Sequence, residues 1–202
     1  HDDDYVSPNY FDQICKAIVK YPTAVAIGTN ANLIKNNKNL RKYSHYYNKN
    51  IEFKNKTHFL KQYLTGSDGI CPFPSYVYKT NYIKNIKYSK YDAGKHSDVI
   101  FLTNLLNNGT IVWLKDKLFN YRIHDLQDSK IESVIGRILL KKYFLANNIK
   151  KKNTNYVLFN LFYRYNLYIQ YLRNNKNKKN ARKIFEKYFC YVFLKLIFKF
   201  QF

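Results

Sequence analysis

The order of apolar and polar positions divides the chain near residue 129 into two regimes. In the first, short apolar runs alternate with helical stripes. Phe11, Ile14, Cys15, Ile18 and Val19 recur at helical spacing, and Ser7-Pro8 ahead of them reads as an N-cap followed by proline at the first helical position. Pro22 stops that helix, and Ala24 to Ile27, closed by Gly28, has the length and composition of a buried strand. Thr29 to Lys56 turns polar and rich in Asn and Lys, which predicts a surface excursion. Thr57 to Leu64 predicts a short helix, Ser75 to Tyr78 a strand, and Asn81 the start of another short helix. Gly66, Gly69, Pro72 and Pro74 shape the turn before that strand.

The stretch AGKHSDVIFLTNLLNNG carries the fullest set of helix signals. Ser97 stands as N-cap, Asp98 in the first turn, Phe101, Leu102, Leu105 and Leu106 on the apolar side, and Gly109 at the stop. Two strands are predicted after it, Thr110 to Leu114 and Lys117 to Ile123. Helices and strands thus alternate through residue 124, the pattern of an α/β layer.

Beyond Ser129 only helical stripes remain. Ile131, Val134, Ile135, Ile138 and Leu139 form one, Leu158, Leu161, Phe162, Tyr165 and Leu172 a second, and Ala181 to Phe200 a third after the polar run NNKNKKN. The expected organisation is an α/β domain over residues 1–129 and a basic, aromatic-rich helical extension over residues 130–202.

Composition supports a folded chain. Of 202 residues, 46% are hydrophobic and 18% aromatic, with six Gly and four Pro. The formal net charge of +22 suits a nucleic acid or an anionic membrane surface. A/T-rich codons for Lys, Asn, Tyr, Ile and Phe account for the excess equally well, since clustering of lysines starts only near Lys141. Cys15, Cys71 and Cys190 are widely spaced with no zinc pattern, the reading of reduced thiols in a cytoplasmic protein. No signal peptide is visible, and no apolar run reaches the roughly 18 to 20 residues of a membrane span. The absence of methionine predicts that the chain lacks its native beginning.

Against that basic background the first residues, HDDDYVSPNYF, are acidic. Three adjacent aspartates before a helix are most often a solvated turn. Carboxylates in such a loop also bind a hard divalent cation, and Mg²⁺ or Mn²⁺ bridging diphosphate oxygens needs only one or two of them from the protein. Such an ion stabilises charge on a departing nucleoside diphosphate.

HDDDYVSPNYF resembles the DXD region of family-2 glycosyltransferases of the GT-A fold. KHSDVIFLTNLLNNG resembles the family's later acidic position at the start of a helix, and LFNYRIHDLQDS its YRxH-type segment. The three stand in the family's order over residues 1–129. The resemblance implies Asp3 as metal ligand, with Mg²⁺ or Mn²⁺ as cofactor. It implies Asp2 and Asp4 for donor or nucleotide contacts, and Asp98 as the base that takes a proton from the acceptor hydroxyl. Arg122 would face the donor phosphates, and His124 the metal or the diphosphate. His1 replaces an acidic residue of many members, and His96-Ser97 replaces a frequent Glu-Asp. In the family the DXD loop follows the half that holds base and ribose. The resemblance therefore implies an incomplete, Rossmann-like GT-A fold that lacks this half, binds sugar nucleotides poorly and has little activity alone.

The function expected is metal-dependent, inverting transfer of a sugar from a nucleotide-sugar donor to a saccharide or lipid-linked saccharide, in bacterial surface-glycan synthesis. The basic residues with YFCYVFLKLIFKF suit either a helix lying on an anionic inner leaflet or a helical subdomain packed on its own aromatics. The corresponding location is cytoplasmic, peripheral on the inner face of the plasma membrane. A nucleic-acid-binding module is the alternative from another class, and the scarcity of arginine, the occurrence of lysines throughout the chain and the lack of any nucleic-acid motif weigh against it. A noncatalytic membrane-associated scaffold is a third.

Overall fold

The computed structural model describes residues 4–36, 38–42, 49–64, 71–84, 86, 88–89, 92–124, 134–147 and 149. All of these fall in the first of two compact units, His1–Tyr156. The architecture is mixed α/β, with five α-helices and a six-stranded mixed sheet among the described residues, and is compatible with a Rossmann-like fold.

The centre of the sheet is a parallel pair, β2 (Ala24–Lys35) and β6 (Thr110–Arg122), in register from Ala24↔Thr110 to Ile34↔Arg122. Each flank of this pair carries two short antiparallel strands. On β6, the strand β4 (Ile51–Phe53) pairs near the start through Ile51↔Trp113, and β1 (Tyr5–Val6) pairs near the end through Tyr5↔Asn120. On β2, the strand β5 (Val77–Tyr78) pairs near the start through Ile27↔Val77, and β3 (Lys38–Lys42) closes a hairpin through Lys35↔Lys38.

One face of the sheet is covered by α1 (Tyr10–Lys20), whose Tyr10, Ile14 and Ala17 pack on Ala24, Ile27, Val112, Leu114 and Leu118. On the opposite face Trp113 is fully buried, edge-on to Phe53 at 4.3 Å and to Phe59 of α2 (Lys56–Leu64) at 5.4 Å. Leu102 and Leu105 of α4 (Ser97–Leu105) are fully buried as well. A short α3 (Thr80–Ile83) follows β5, and α5 (Val134–Ala146) follows β6. No helix among the described residues is long and apolar enough to cross a membrane.

Several local expectations are corrected. The first helix begins at Tyr10 with Asn9 as N-cap, because the Ser7 N–H still belongs to the sheet, donating to the Leu118 carbonyl at 2.9 Å. Its buried stripe is rotated as well. Tyr10 donates its hydroxyl to the Ser75 carbonyl at 3.0 Å, which fixes the helix about its axis and leaves Phe11, Cys15, Ile18 and Val19 outward. The strand at Ala24 runs through Gly28 to Lys35, into the expected polar excursion, most of whose remaining described residues form β3 and β4. Asn30 and Asn32 are tolerated inside it because their side-chain amides bond to the Lys115 carbonyl and to Asn120 Oδ1. The two strands expected after Gly109 are one, with exposed Lys115 and Asp116 looping out between the pairs Thr29↔Leu114 and Asn30↔Lys117. In α5, Ile138 is exposed, and Gly136, Leu140 and Phe144 face inward.

Candidate active site

Asp98 occupies the first turn of α4. A 3-10 turn, Gly94–His96, leads into the helix with Gly94 at φ +59°, a backbone conformation glycine adopts at no steric cost. His96 is the N-cap, and Ser97, expected in that role, is the first helical residue. The buried Ser97 hydroxyl accepts the Ala93 N–H at 3.1 Å and so locks the turn to the helix. Two neighbours fix the turn from outside. Tyr63 of α2 bonds to His96 Nδ1 at 2.7 Å, and Gly136 of α5 lies so close that a Cβ there would be 2.6 Å from the Ala93 carbonyl oxygen. Thr103 of α4 also meets the Tyr143 hydroxyl of α5 at 2.6 Å. Residues beyond 129 therefore brace the helix that carries Asp98.

The Asp98 carboxylate accepts the Val99 N–H at 2.8 Å through Oδ1. Burial raises its pKa from 3.8 to about 6, and the Val99 and Asp98 backbone bonds offset part of that rise. Three positions further along α4, Phe101 belongs to an aromatic cluster. Phe101 lies edge-on to Tyr78 at 5.6 Å, to Phe73 at 5.8 Å and to Tyr88 at 5.9 Å, while Tyr88 stacks on Phe73 at 5.7 Å. The Tyr78 and Tyr88 hydroxyls are both pushed above their usual pKa, first by burial and then by the Asp98 charge. Both stay neutral donors at physiological pH.

A second group forms at the far end of β6. Asp4 Oδ1 accepts the Arg122 N–H at 2.8 Å, joining residues 118 positions apart. The Arg122 guanidinium lies over the Tyr5 ring at 5.3 Å, and Arg122 and His124 are exposed. The structure thus brings the end of the acidic triplet to the YRIH segment. Asp2 and Asp3 lie outside the described residues. Among the described residues, no three His, Cys, Asp or Glu side chains are grouped to hold a metal ion.

Of the two candidates for stacking on a sugar, Tyr76 belongs to the core, whereas Tyr78 is half-buried. Tyr76 is buried against Gly28, and Tyr78 Oη is buried with no hydrogen bond among the described residues. The exposed member of the cluster is Tyr88, which sequence reasoning passed over because it stands between Lys87 and Ser89, outside any periodic stripe.

No protein-family model matches the chain, and no curated protein matches it.

Proposed function

We propose that this chain forms the acceptor-activating side of an incomplete GT-A fold and serves an inverting, nucleotide-sugar-dependent glycosyltransferase acting on a saccharide or lipid-linked saccharide. The observation that carries the reading is the Asp98 carboxylate, held in the first turn of α4 beside the cluster that contains Phe101, with a pKa pushed up to about 6. Such a group is about nine-tenths ionised at pH 7 and more basic than an ordinary carboxylate, which suits a general base. In the reaction, the acceptor oxygen attacks the anomeric carbon from the face opposite the diphosphate. Its proton passes to Asp98, and the bond from the anomeric carbon to the nucleoside diphosphate breaks.

Asp2, Asp4 and Arg122 are assigned to the donor, and Asp3 and His124 to Mg²⁺ or Mn²⁺. The bond from the Arg122 N–H to Asp4 supports the assignment by keeping the last residue of the triplet beside the YRIH segment. A hard cation on a diphosphate needs only one or two protein carboxylates, so the absence of a larger cluster among the described residues is compatible with it. When bound, it supplies positive charge to the leaving diphosphate.

The test is nucleoside diphosphate release from a panel of sugar nucleotides by the complete gene product. Asp98→Asn and Asp3→Ala should each lower it by about 10²–10⁴-fold, the range of a lost general base or comparable group. Full release in both variants rejects the assignment.

A further inference from the structure

The ring cluster beside Asp98 has one member at the surface. Phe73, Tyr78 and Phe101 meet edge-on or tilted at centroid distances of 6.3, 5.8 and 5.6 Å. Tyr88 lies over Phe73 at an interplanar angle of 27° and keeps 53% of its surface exposed. One side of its ring is thus backed by packed aromatics, which hold it flat, and much of the rest meets water. Phe101 follows Asp98 by three positions on α4, which puts the two on one side of the helix, so the carboxylate stands at the margin of the same cluster. The Tyr78 hydroxyl is buried and, among the described residues, has no hydrogen-bond partner.

We propose that Tyr88, stacked on Phe73 beside Asp98, is the platform on which a pyranose ring of the acceptor rests. The inference depends on Asp98 being the acceptor's base, and it assigns a residue to the sugar ring of the saccharide acceptor. A pyranose has a face of C–H bonds and a rim of hydroxyls. The face matches an exposed, rigid aromatic ring, and the rim matches a neighbouring carboxylate. Phe73, Tyr78, Tyr88, Asp98 and Phe101 include no cation, so nothing in the cluster itself favours a phosphate group over a neutral ring.

Binding of the acceptor ring can be read without turnover. Saturation-transfer NMR on the 202-residue chain uses the methyl glycosides of glucose, galactose and N-acetylglucosamine as probes. At least one should receive saturation on the hydrogens of a single ring face. Tyr88→Ala should weaken that binding about ten-fold, Tyr88→Trp should restore it, and Tyr82→Ala, an exposed tyrosine of α3 outside the cluster, should leave it unchanged. Thermal melting of each variant identifies any loss caused by misfolding, and Tyr88→Trp keeps the test valid if Tyr88→Ala unfolds. Absence of transfer to all three probes, or transfer that Tyr88→Ala leaves intact, overturns the proposal. Glycoside binding in a complete gene product that releases no nucleoside diphosphate would leave the platform standing and remove the transferase. Release with an acceptor KM unchanged by Tyr88→Ala would do the reverse.

Discussion

The ring of Tyr76 lies directly against Gly28, so closely that a Cβ at Gly28 would stand 2.6 Å from both Cε1 and Cζ. Gly28 is in the middle of β2, and Tyr76 is buried with 6% exposure, leaving the ring little room to retreat. Gly28→Ala should therefore destabilise the domain by about 1–3 kcal/mol, the usual cost of overpacking. Denaturant unfolding followed through Trp113 measures it. A change below about 0.5 kcal/mol, the level of a neutral surface substitution, would show that the ring can slide aside.

Asp98 ties stability to pH with a definite sign. Its folded pKa, about 6, is above the ordinary 3.8, so the folded state holds this proton more tightly than the unfolded chain. Below about pH 4 both states are protonated and the domain loses nothing by burying the group. As pH rises through about 6, the cost grows to about 3 kcal/mol and then levels off. Asp98→Asn should accordingly stabilise the domain at pH 7 while abolishing transfer, and the gain should vanish near pH 4. Paired melting curves at the two pH values check this; a variant that is no more stable at pH 7 would contradict the burial of a charge. In the wild type, kcat should fall as pH drops below about 6.

The two cysteines in the described residues should differ in reactivity. Cys15 is exposed on α1, whereas Cys71 is fully buried and its thiol is held well above the ordinary pKa by that burial. In a Cys190→Ser background, maleimide at neutral pH should modify Cys15 alone until the chain is unfolded. Mass spectrometry of the native protein showing two adducts would refute it.

The rotation of α1 gives a contrast within one helix. Val19 is 83% exposed, so Val19→Asp should change stability by no more than about 0.5 kcal/mol. Ile14 is 4% exposed, and Ile14→Ala should cost about 2–5 kcal/mol. Equal effects in thermal unfolding would mean that the helix buries the face its apolar spacing suggests.

That contrast shows where sequence was sufficient and where it was not. Apolar periodicity located α1, α2 and α4 and the start of β2, since these follow from local spacing and breakers such as Pro22 and Gly109. It could not orient α1, because the deciding contact is the Tyr10 hydroxyl on the Ser75 carbonyl, 65 positions away. It also ended β2 at Gly28, reading as a breaker a glycine whose missing side chain makes room for Tyr76. The polar second half of β2 was illegible for a related reason: Asn32 belongs in a strand only once Asn120 is beside it. At the candidate site, Asp98 was legible from its helix-start pattern. Tyr88 was not, since its place depends on Phe73 and Phe101 rather than on its neighbours in sequence.

The parallel pairing of β2 with β6 also constrains the order in which the domain can assemble. Ala31 pairs with Phe119, so the central ladder needs a segment of 88 residues to close before it can form. The hairpin of β2 with β3 closes through Lys35↔Lys38 and needs almost none. At translation rates of about 5–20 residues per second, the end of β6 is made roughly 4–17 s after the end of β2. During that interval β2 has the β3 hairpin to shield part of one edge, while its other edge waits for a strand not yet synthesised.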